Sequence, residues 1–401
     1  MKKYIYIPSF DTGCSHAAGK KNYRLKDGTP WRFWSDEFPE YYRHKAFLMT
    51  AGHSYKNFDH HKIYGFGDDV LKFGDSGGFQ IASGAIKYEM QFVDKIFQWL
   101  ENNSNIAINL DIPPRMKYEG KFQECLDISK INFKYFADNQ TGKTDFLNVL
   151  HGGTYDSYEY WYKNVSNMPF QGWAIGGAIG KLSSLMDAIV VLAQNGELKN
   201  PNNKWLHILG ASSVSDFIIL AQIQKSLFEI DSNITLTTDS SSPSRSTAFG
   251  IYYTGFSIKD MKFSYIRLPR FRGDERIKAY LDLGHINKLP EIFEFDRKIN
   301  DTFELRDFLE FTTEHYSWMV IHNLIVFLDC HRQCNEFIYS DYGLLEQIVS
   351  ADMYRLLRGI DDILKSSNPA ITYTKYKPLF DKMSRILPKD NISSEPTLDF
   401  F

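Results

Sequence analysis

The sequence is poor in the features that mark several specialised protein classes. Its 401 residues include only four cysteines, Cys14, Cys125, Cys330 and Cys334. That is too few for a disulfide scaffold and favours a reducing compartment. No apolar run approaches the roughly 20 residues of a membrane span, and the apolar stretch from Tyr4 to Ile7 is too short for a secretion signal. We therefore expect a cytoplasmic protein with no membrane partner.

The chain also lacks a large excess of either charge. Its 46 Lys and Arg residues nearly balance its 49 Asp and Glu residues, which leaves a formal net charge of −3. A strongly basic composition is typical of general nucleic-acid binding, so any such contact here must be local. By contrast, 43% of the residues are hydrophobic and 15% are aromatic, which is ample material for a large buried core.

Short apolar runs recur along the chain, and each ends abruptly in glycine or in a small polar or acidic residue. Seven of them predict buried strands: 46–49, 70–73, 106–110, 146–150, 173–175, 206–209 and 234–237. Amphipathic stretches such as Gln91 to Leu100 and Val214 to Leu227 lie between them. This rhythm predicts an α/β TIM (β/α)8 barrel over residues 1–364, with a basic and mainly helical region from about residue 255. Residues 365–401, which contain several prolines, are predicted to form a C-terminal tail.

Unusual residues fall where the predicted strands end. In a parallel barrel these ends meet at one face. A single aspartate after a strand is most often a cap or turn residue, and a glycine pair is usually a tight turn. Capping does not account for all of the motifs together. They are Asp75-Ser76-Gly77-Gly78-Phe79-Gln80, Asp111-Ile112-Pro113-Pro114, His151-Gly152-Gly153, Gly176-Gly177-Ala178, Gly210-Ala211-Ser212 and Asp239-Ser240-Ser241-Ser242-Pro243.

Converging carboxylates of this kind suit the exchange of a nucleobase. One carboxylate can attack the anomeric carbon of a sugar while a second exchanges a proton with the base that leaves and enters. A third can accept hydrogen bonds from the N–H donors of a guanine-like edge, beside exposed glycine amides. An unrelated glycoside hydrolase would also use carboxylates, but it would not explain the Gly-Gly and His-Gly-Gly turns.

The motifs, in their order from about Ala46 to Asn323, resemble those of the tRNA-guanine transglycosylase superfamily. The resemblance implies that Asp75 is the general acid/base and that Asp239 is the nucleophile, which forms a covalent glycosyl-enzyme intermediate. Asp111, in an archaeal-like Leu-Asp-Ile-Pro-Pro, is implied to read the guanine edge. His151 stands where bacterial members usually carry glutamine, and it either donates to the base carbonyl or caps the turn. The implied base-binding residues are Ser76, Asp111, His151, Gly176, Gly177, Ala178 and Leu209.

One departure from the superfamily concerns zinc. Members that act on tRNA normally carry three closely spaced cysteines followed by a histidine in an Ile-His-Asn-Leu-like sequence. Here Ile321-His322-Asn323-Leu324 is present, but no cysteine occurs between Cys125 and Cys330. We therefore predict no metal and no other cofactor, with His322 as the only remnant of the zinc site. Cys330 and Cys334 are predicted to be buried apolar residues rather than ligands.

The parts that read tRNA are also incomplete. In the bacterial enzymes, two arginines come after the nucleophile in the sequence. Here Arg245 takes the first of these places and Ala248 the second. No archaeal-type RNA-binding appendage is recognisable. This combination resembles the DNA-guanine transglycosylases of phages and bacterial genomic islands. It implies that guanine in DNA is replaced by a 7-deazaguanine such as 7-cyano-7-deazaguanine. Arg245, Arg267, Arg270 and Arg272 are the candidate phosphate contacts, although a solvated surface explains the basic cluster equally well.

Two other functions remain open on the sequence alone. One is a tRNA-guanine transglycosylase of unusual form. The other is a non-catalytic barrel subunit that binds a base or a partner, although such subunits usually lose the catalytic aspartates. A homodimer and the use of helper proteins are both compatible with the sequence.

Overall fold

Eight parallel strands form a nearly closed barrel in the order β1-β8-β7-β6-β5-β4-β3-β2. The computed structural model describes residues 2–10, 17, 19, 21–177, 181–268, 288–309, 312–340 and 342–387. The strands are β1 (Ile5–Pro8), β2 (Ala46–Thr50), β3 (Leu71–Asp75), β4 (Ile106–Ile108), β5 (Asp145–His151), β6 (Gly172–Gly176), β7 (Trp205–Ile208) and β8 (Thr235–Ser240). The predicted barrel is therefore confirmed. Seven strands coincide with the predicted apolar runs, and the eighth, β1, was not predicted.

Helices between the strands cover the outside of the barrel. They are α1 (Ala51–Ser54), α2 (Gly78–Ser83), α3 (Met90–Asn103), α4 (Phe122–Asn139), α5 (Tyr155–Val165), α6 (Leu182–Gln194), α7 (Val214–Glu229) and α8 (Ser242–Ala248). Short 3-10 turns span Glu40–Tyr42, His60–Ile63, Met116–Tyr118 and Glu197–Lys199. Helix α7 begins at Ser213, whose hydroxyl accepts the N–H of Asp216 in a capping box. Its residues 214–227 are all buried except Asp216, because the sheet covers one side and later helices cover the other.

The region after the barrel is mainly helical, as predicted. An antiparallel hairpin, β9 (Ile251–Ser257) and β10 (Lys262–Arg267), comes first. The later helices are α9 (Glu294–Thr302), α10 (Leu305–Leu309), α11 (Thr313–Tyr339), α12 (Tyr342–Ile348), α13 (Ala351–Lys365) and α14 (Pro369–Ile386). The long α11 packs against α7, α8 and β9. Of the helices in the described ranges, none has both the length and the apolar surface that crossing a bilayer requires.

Helix α14 replaces the predicted tail over residues 369–386. Its first proline, Pro369, lies in the first helical turn, where a missing N–H costs no hydrogen bond, and Asn368 caps that turn by accepting the N–H of Ile371. The helix packs against α6 and α13 and buries Tyr373 and Phe380. The prolines alone suggested a break in structure, but burial of this apolar face stabilises a helix. Residues 388–401 lie outside the described part of the chain.

The Ile-His-Asn-Leu motif is buried in α11 and holds the hairpin to the helix. His322 Nδ1 lies 2.6 Å from Asp296 Oδ1, and its Nε2 lies 2.7 Å from the carbonyl oxygen of Tyr253. Asn323 donates to the carbonyl of Ile251 and accepts the N–H of Tyr253. Both ring nitrogens of His322 thus have hydrogen-bond partners within the protein.

The two cysteines of α11 lie next to each other in the core. Cys330 Sγ and Cys334 Sγ lie 4.0 Å apart, and both side chains are fully buried among apolar groups. Within the described ranges, no group of three or more His, Cys, Asp or Glu residues is placed to hold a metal ion.

The barrel is joined less continuously between β1 and β2 than between its other neighbouring strands. A ladder of paired residues joins β1 to β8, and the ladder between β2 and β3 runs the length of both strands. Between β1 and β2, the described residues form one isolated parallel bridge, from Ser9 to Leu48. We call this junction the seam. Ser9 directly follows β1, so among the described residues the four residues of β1 itself have no ladder partner on this side.

Two partly buried histidines donate to the backbone beside the seam. His44 Nε2 lies 2.7 Å from the carbonyl oxygen of Tyr6, and His331 Nε2 lies 3.1 Å from that of Tyr4. Burial lowers the pKa of His44 to about 4, and burial together with nearby His44 lowers the pKa of His331 to about 3. Both imidazoles are therefore neutral in the folded protein near pH 7.

We predict that acid destabilises the fold through these histidines. Their folded-state pKa values lie below the value of about 6.5 in an unfolded chain, so the unfolded state binds more protons. The free energy of unfolding should therefore fall as the pH drops from about 6.5 towards 4. Urea unfolding at several pH values measures this slope, and His331→Gln, which keeps a side-chain N–H donor, should flatten it. An unchanged slope in His331→Gln would contradict a neutral His331.

Candidate active site

The structure brings the three predicted aspartates to the same end of the barrel. Asp75 is the last residue of β3, Asp111 follows β4, and Asp239 lies near the end of β8. The carboxylates are close enough for Asp239 and Asp111 to act electrostatically on Asp75. The strands run parallel, so these positions lie at their carboxyl ends, where barrel enzymes carry their reactive groups.

The second glycine of the Asp-Ser-Gly-Gly motif permits this close packing. A Cβ atom on Gly78 would lie 2.3 Å from the carbonyl oxygen of Asp111 and 3.0 Å from its Oδ1. A real Cβ contact is essentially never that short, so the segment after β3 approaches Asp111 only because residue 78 has no side chain. The glycine therefore sets the distance between the Asp75 segment and the Asp111 segment.

Asp75 lies where its proton is held more tightly than usual. Burial is the main cause that raises its pKa to about 6, and the negative charges of Asp239 and Asp111 contribute to the same shift. The N–H of Gly77, which donates to Asp75 Oδ1 at 3.3 Å, and the Thr50 side chain oppose this shift. A carboxyl group with this pKa exists in both protonation states near neutral pH, which is what a group that gives and takes protons requires.

Two hydrogen-bond donors lie beside one carboxylate oxygen of Asp239. Its Oδ1 accepts the backbone N–H of Gly210 at 2.8 Å and lies 3.3 Å from His207 Nε2. The His207 side chain is fully buried in the barrel, stacks on Phe73 with ring centroids 4.3 Å apart, and places Nδ1 2.8 Å from Thr237 Oγ1. His207 was not among the site residues predicted from the sequence. It is the only ionisable residue of its apolar run, and it lies two residues before Leu209, a predicted base-binding residue.

Asp111 also contacts a histidine. His151 Nε2 lies 2.5 Å from Asp111 Oδ2, and the side chains are 3% and 10% exposed respectively. The His151 ring lies against Gly176 and packs edge-on against Trp161. From the sequence, His151 was expected either to donate to the base carbonyl or to cap a turn, whereas in the structure its Nε2 is hydrogen-bonded to Asp111. Because an ionised carboxylate only accepts, His151 Nε2 is the donor of this bond.

The other predicted base-binding residues lie around these carboxylates or outside the described chain. The Ser76 hydroxyl is buried and donates to the carbonyl of Asn109 at 3.0 Å. Leu209 is partly exposed at the end of β7, and Gly177 is exposed directly after β6. Ala178 lies outside the described residues.

The predicted phosphate contacts are only partly described. Arg245 is exposed on α8, directly after the Asp239 strand. Arg267 is exposed at the end of β10, and its partner residue in the hairpin is Ile251. Arg270 and Arg272 fall outside the described residues, as does the rest of the basic segment from 269 to 287.

Two surface cavities of the described structure lie away from the three carboxylates. One of about 480 Å³ lies between Gly153, the start of α6 at Lys181, and Arg385 on α14. The other, of about 560 Å³, lies at the opposite end of the barrel beside Gly172 and Trp173. None of the three aspartates lines either cavity.

We predict that Gly176→Ala disturbs the contact between His151 and Asp111. A Cβ at residue 176 would lie 2.4 Å from Cε1 of the His151 ring, so the ring must shift. The expected loss is about 1–3 kcal/mol of unfolding free energy, measured by urea unfolding. Gly153→Ala is the matched control, because no described atom lies within 4 Å of an added Cβ there. Equal losses in the two variants would contradict this packing.

The chain matches no family model and no curated protein. The likeness to the guanine transglycosylases therefore rests on the motifs and their order along the chain. The structure itself shows the barrel fold. It also shows that Asp75, Asp111 and Asp239 lie together at one end of the barrel.

Proposed function

We propose that this protein is an enzyme that replaces guanine in DNA with a 7-deazaguanine such as 7-cyano-7-deazaguanine. The observation that carries the proposal is the placement of three carboxylates with different surroundings at one end of the barrel. Asp239 and Asp111 each meet a histidine, whereas Asp75 meets none that the structure describes and has a raised pKa of about 6. Base exchange needs a nucleophile, a reader of the base edge and a proton carrier, and the three surroundings suit these three tasks.

In the first step, Asp239 attacks C1′ of the deoxyguanosine and the bond from C1′ to the guanine nitrogen breaks. Asp75 gives its proton to the departing guanine, so guanine leaves as a neutral base and Asp239 becomes a glycosyl ester. In the second step, the incoming 7-deazaguanine gives a proton back to Asp75 and its nitrogen attacks C1′, which frees Asp239. Two displacements at one carbon retain the configuration. Carbon at position seven removes the ring nitrogen that would compete for protonation, so the inserted base is retained.

Within the described residues, one oxygen of Asp111 has no hydrogen-bond partner. Its Oδ2 is bonded to His151, while its Oδ1 lies beside the Gly78 backbone. A carboxylate oxygen accepts hydrogen bonds from the N–H donors of a guanine edge, a pattern that 7-deazaguanine shares. This pairing supports Asp111 as the group that selects guanine-like bases.

DNA is proposed as the polymer because the parts that read tRNA in the superfamily are incomplete in this sequence. The three zinc-binding cysteines are missing, and Ala248 takes the place of the second arginine. A guanosine in a duplex must leave the stack to reach the barrel, which costs a few kcal/mol that phosphate contacts must offset. Exposed Arg245 on α8, close in sequence to Asp239, is a candidate for one such contact.

Exchange with a labelled base decides which polymer is used. The protein is incubated with duplex DNA or with tRNA and labelled 7-cyano-7-deazaguanine, and each polymer is digested to nucleosides. We expect label in the DNA nucleosides, and we expect Asp239→Asn to abolish both exchange and the covalent adduct. Label in tRNA alone would assign tRNA as the substrate. No label in either polymer would favour a non-catalytic subunit.

The pH dependence of guanine release tests the role of Asp75. Because its pKa is about 6, the protonated form that donates to guanine is lost as the pH rises through 6. In a single turnover without incoming base, the release rate should be level below pH 6 and fall about tenfold per pH unit well above it. Asp75→Asn should lower the rate by about 100-fold or more and remove the dependence.

The control for Asp75→Asn is Asp138→Asn. Asp138 is an exposed residue on α4 whose carboxylate pairs with Lys134. Its substitution should leave both the rate and the pH profile unchanged. A profile in Asp75→Asn that still bends near pH 6 would assign the proton transfer to another group.

A further inference from the structure

We propose that His207 is a positioning residue for Asp239, which it orients through one oxygen so that the other faces the sugar. The proposal rests on the function proposed above and adds to it a residue that was not among those predicted from the sequence. His207 Nε2 and the backbone N–H of Gly210 both meet Oδ1 of Asp239, at 3.3 and 2.8 Å. Within the described residues, no hydrogen bond reaches Asp239 Oδ2. The attacking atom is therefore Oδ2.

The direction of the proton follows from the partners. An ionised carboxylate only accepts hydrogen bonds. The hydrogen atom therefore resides on His207 Nε2, which donates the hydrogen bond to Asp239. In a neutral imidazole Nδ1 then has a free lone pair, and it accepts the hydroxyl proton of Thr237 at 2.8 Å. The three side chains form one chain of hydrogen bonds from Thr237 through His207 to Asp239.

The strand register explains why these side chains meet. Thr237 and Asp239 are two residues apart on β8, so both side chains point to the same face of the sheet. His207 on β7 is paired with Thr237 in the ladder and lies on that face beside it. Such a contact depends on the alignment of two neighbouring strands.

Packing fixes the His207 ring in this orientation. The side chain is fully buried, and the ring stacks on Phe73 with an interplanar angle of 29°. Phe73 lies two residues before Asp75 on β3. The imidazole therefore sits inside the barrel between the strand of the proposed nucleophile and the strand of the proposed acid.

Orientation of this kind acts on the chemical step more than on binding. A carboxylate free to rotate would present Oδ2 to C1′ for only part of the time, and a displacement of about 1 Å can cost about 100-fold in rate. The binding of the incoming base depends on other groups. Loss of the His207 donor should therefore lower kcat while the KM for 7-deazaguanine stays unchanged.

Three variants separate orientation from packing. His207→Leu removes both hydrogen bonds, and we expect the rate of covalent intermediate formation to fall about 10- to 100-fold. His207→Gln offers an N–H donor for Asp239 and an oxygen acceptor for Thr237, and it should recover most of the rate. Thr237→Val keeps the shape of residue 237 but removes its hydroxyl, and it should give a smaller loss. If His207→Leu and His207→Gln lowered only the melting temperature, with equal rates for the folded protein, the role would be structural and the proposal overturned.

A measurement without substrate keeps this inference separate from the proposed function. In protein labelled with ¹⁵N in its histidine rings, His207→Gln identifies the ring resonances of His207 by their loss. We expect Asp239→Asn to shift the Nε2 proton of His207, and Thr237→Val to shift Nδ1. An Nε2 resonance that Asp239→Asn leaves unchanged would overturn the inference whatever the activity. If the wild type exchanged no base with either polymer but showed both shifts, the proposed function would fail and the orientation of Asp239 by His207 would stand.

Discussion

Three carboxylates held at one end of a parallel barrel repel one another. The surroundings of each carboxylate differ in how they offset this repulsion. Like charges in partly buried surroundings are costly unless donors or protons compensate them. Asp239 receives the N–H of Gly210 and contacts His207, and Asp111 contacts His151. Asp75 has weaker support from the Gly77 N–H, and its pKa rises to about 6. Hydrogen bonds thus offset the repulsion at two of the aspartates, whereas at the third the repulsion contributes to a raised pKa.

Much of this arrangement follows from the order of residues along the chain. Buried parallel strands are nearly continuous apolar runs, so seven of the eight strands could be located, and the aspartates that end three of them could be placed at one face. Strand β1 was missed because the apolar stretch from Tyr4 to Ile7 was considered only as a possible secretion signal, although it is as long as several of the predicted runs. Helix α14 was missed because its prolines were taken as breaks, although Pro369 lies where a helix tolerates proline.

The contacts of the two histidines could not be predicted in the same way. His151 and Asp111 are 40 residues apart and meet only because β4 and β5 are neighbours in the barrel. His207 and Asp239 meet because of the register between β7 and β8. The alternation of residues along a strand indicates which side chains share a face, but it does not determine the register between one strand and the next. His322 shows the same limit, since its partner Asp296 lies on a separate helix.

The seam between β1 and β2 has a bearing on the chemistry as well as on the fold. Asp239 is aligned with Ile7 on β1, and Asp75 is aligned with Thr50 on β2, so the two strands that meet at the seam separate the strands of these aspartates. Asp75 and Asp111, in contrast, are connected through a ladder between adjacent strands. On its shorter path around the barrel, the connection between the strand of the attacking oxygen and the strand of the proton donor thus crosses the least continuous junction of the barrel, and the ladders through β4 to β7 hold the two strands together on the other side.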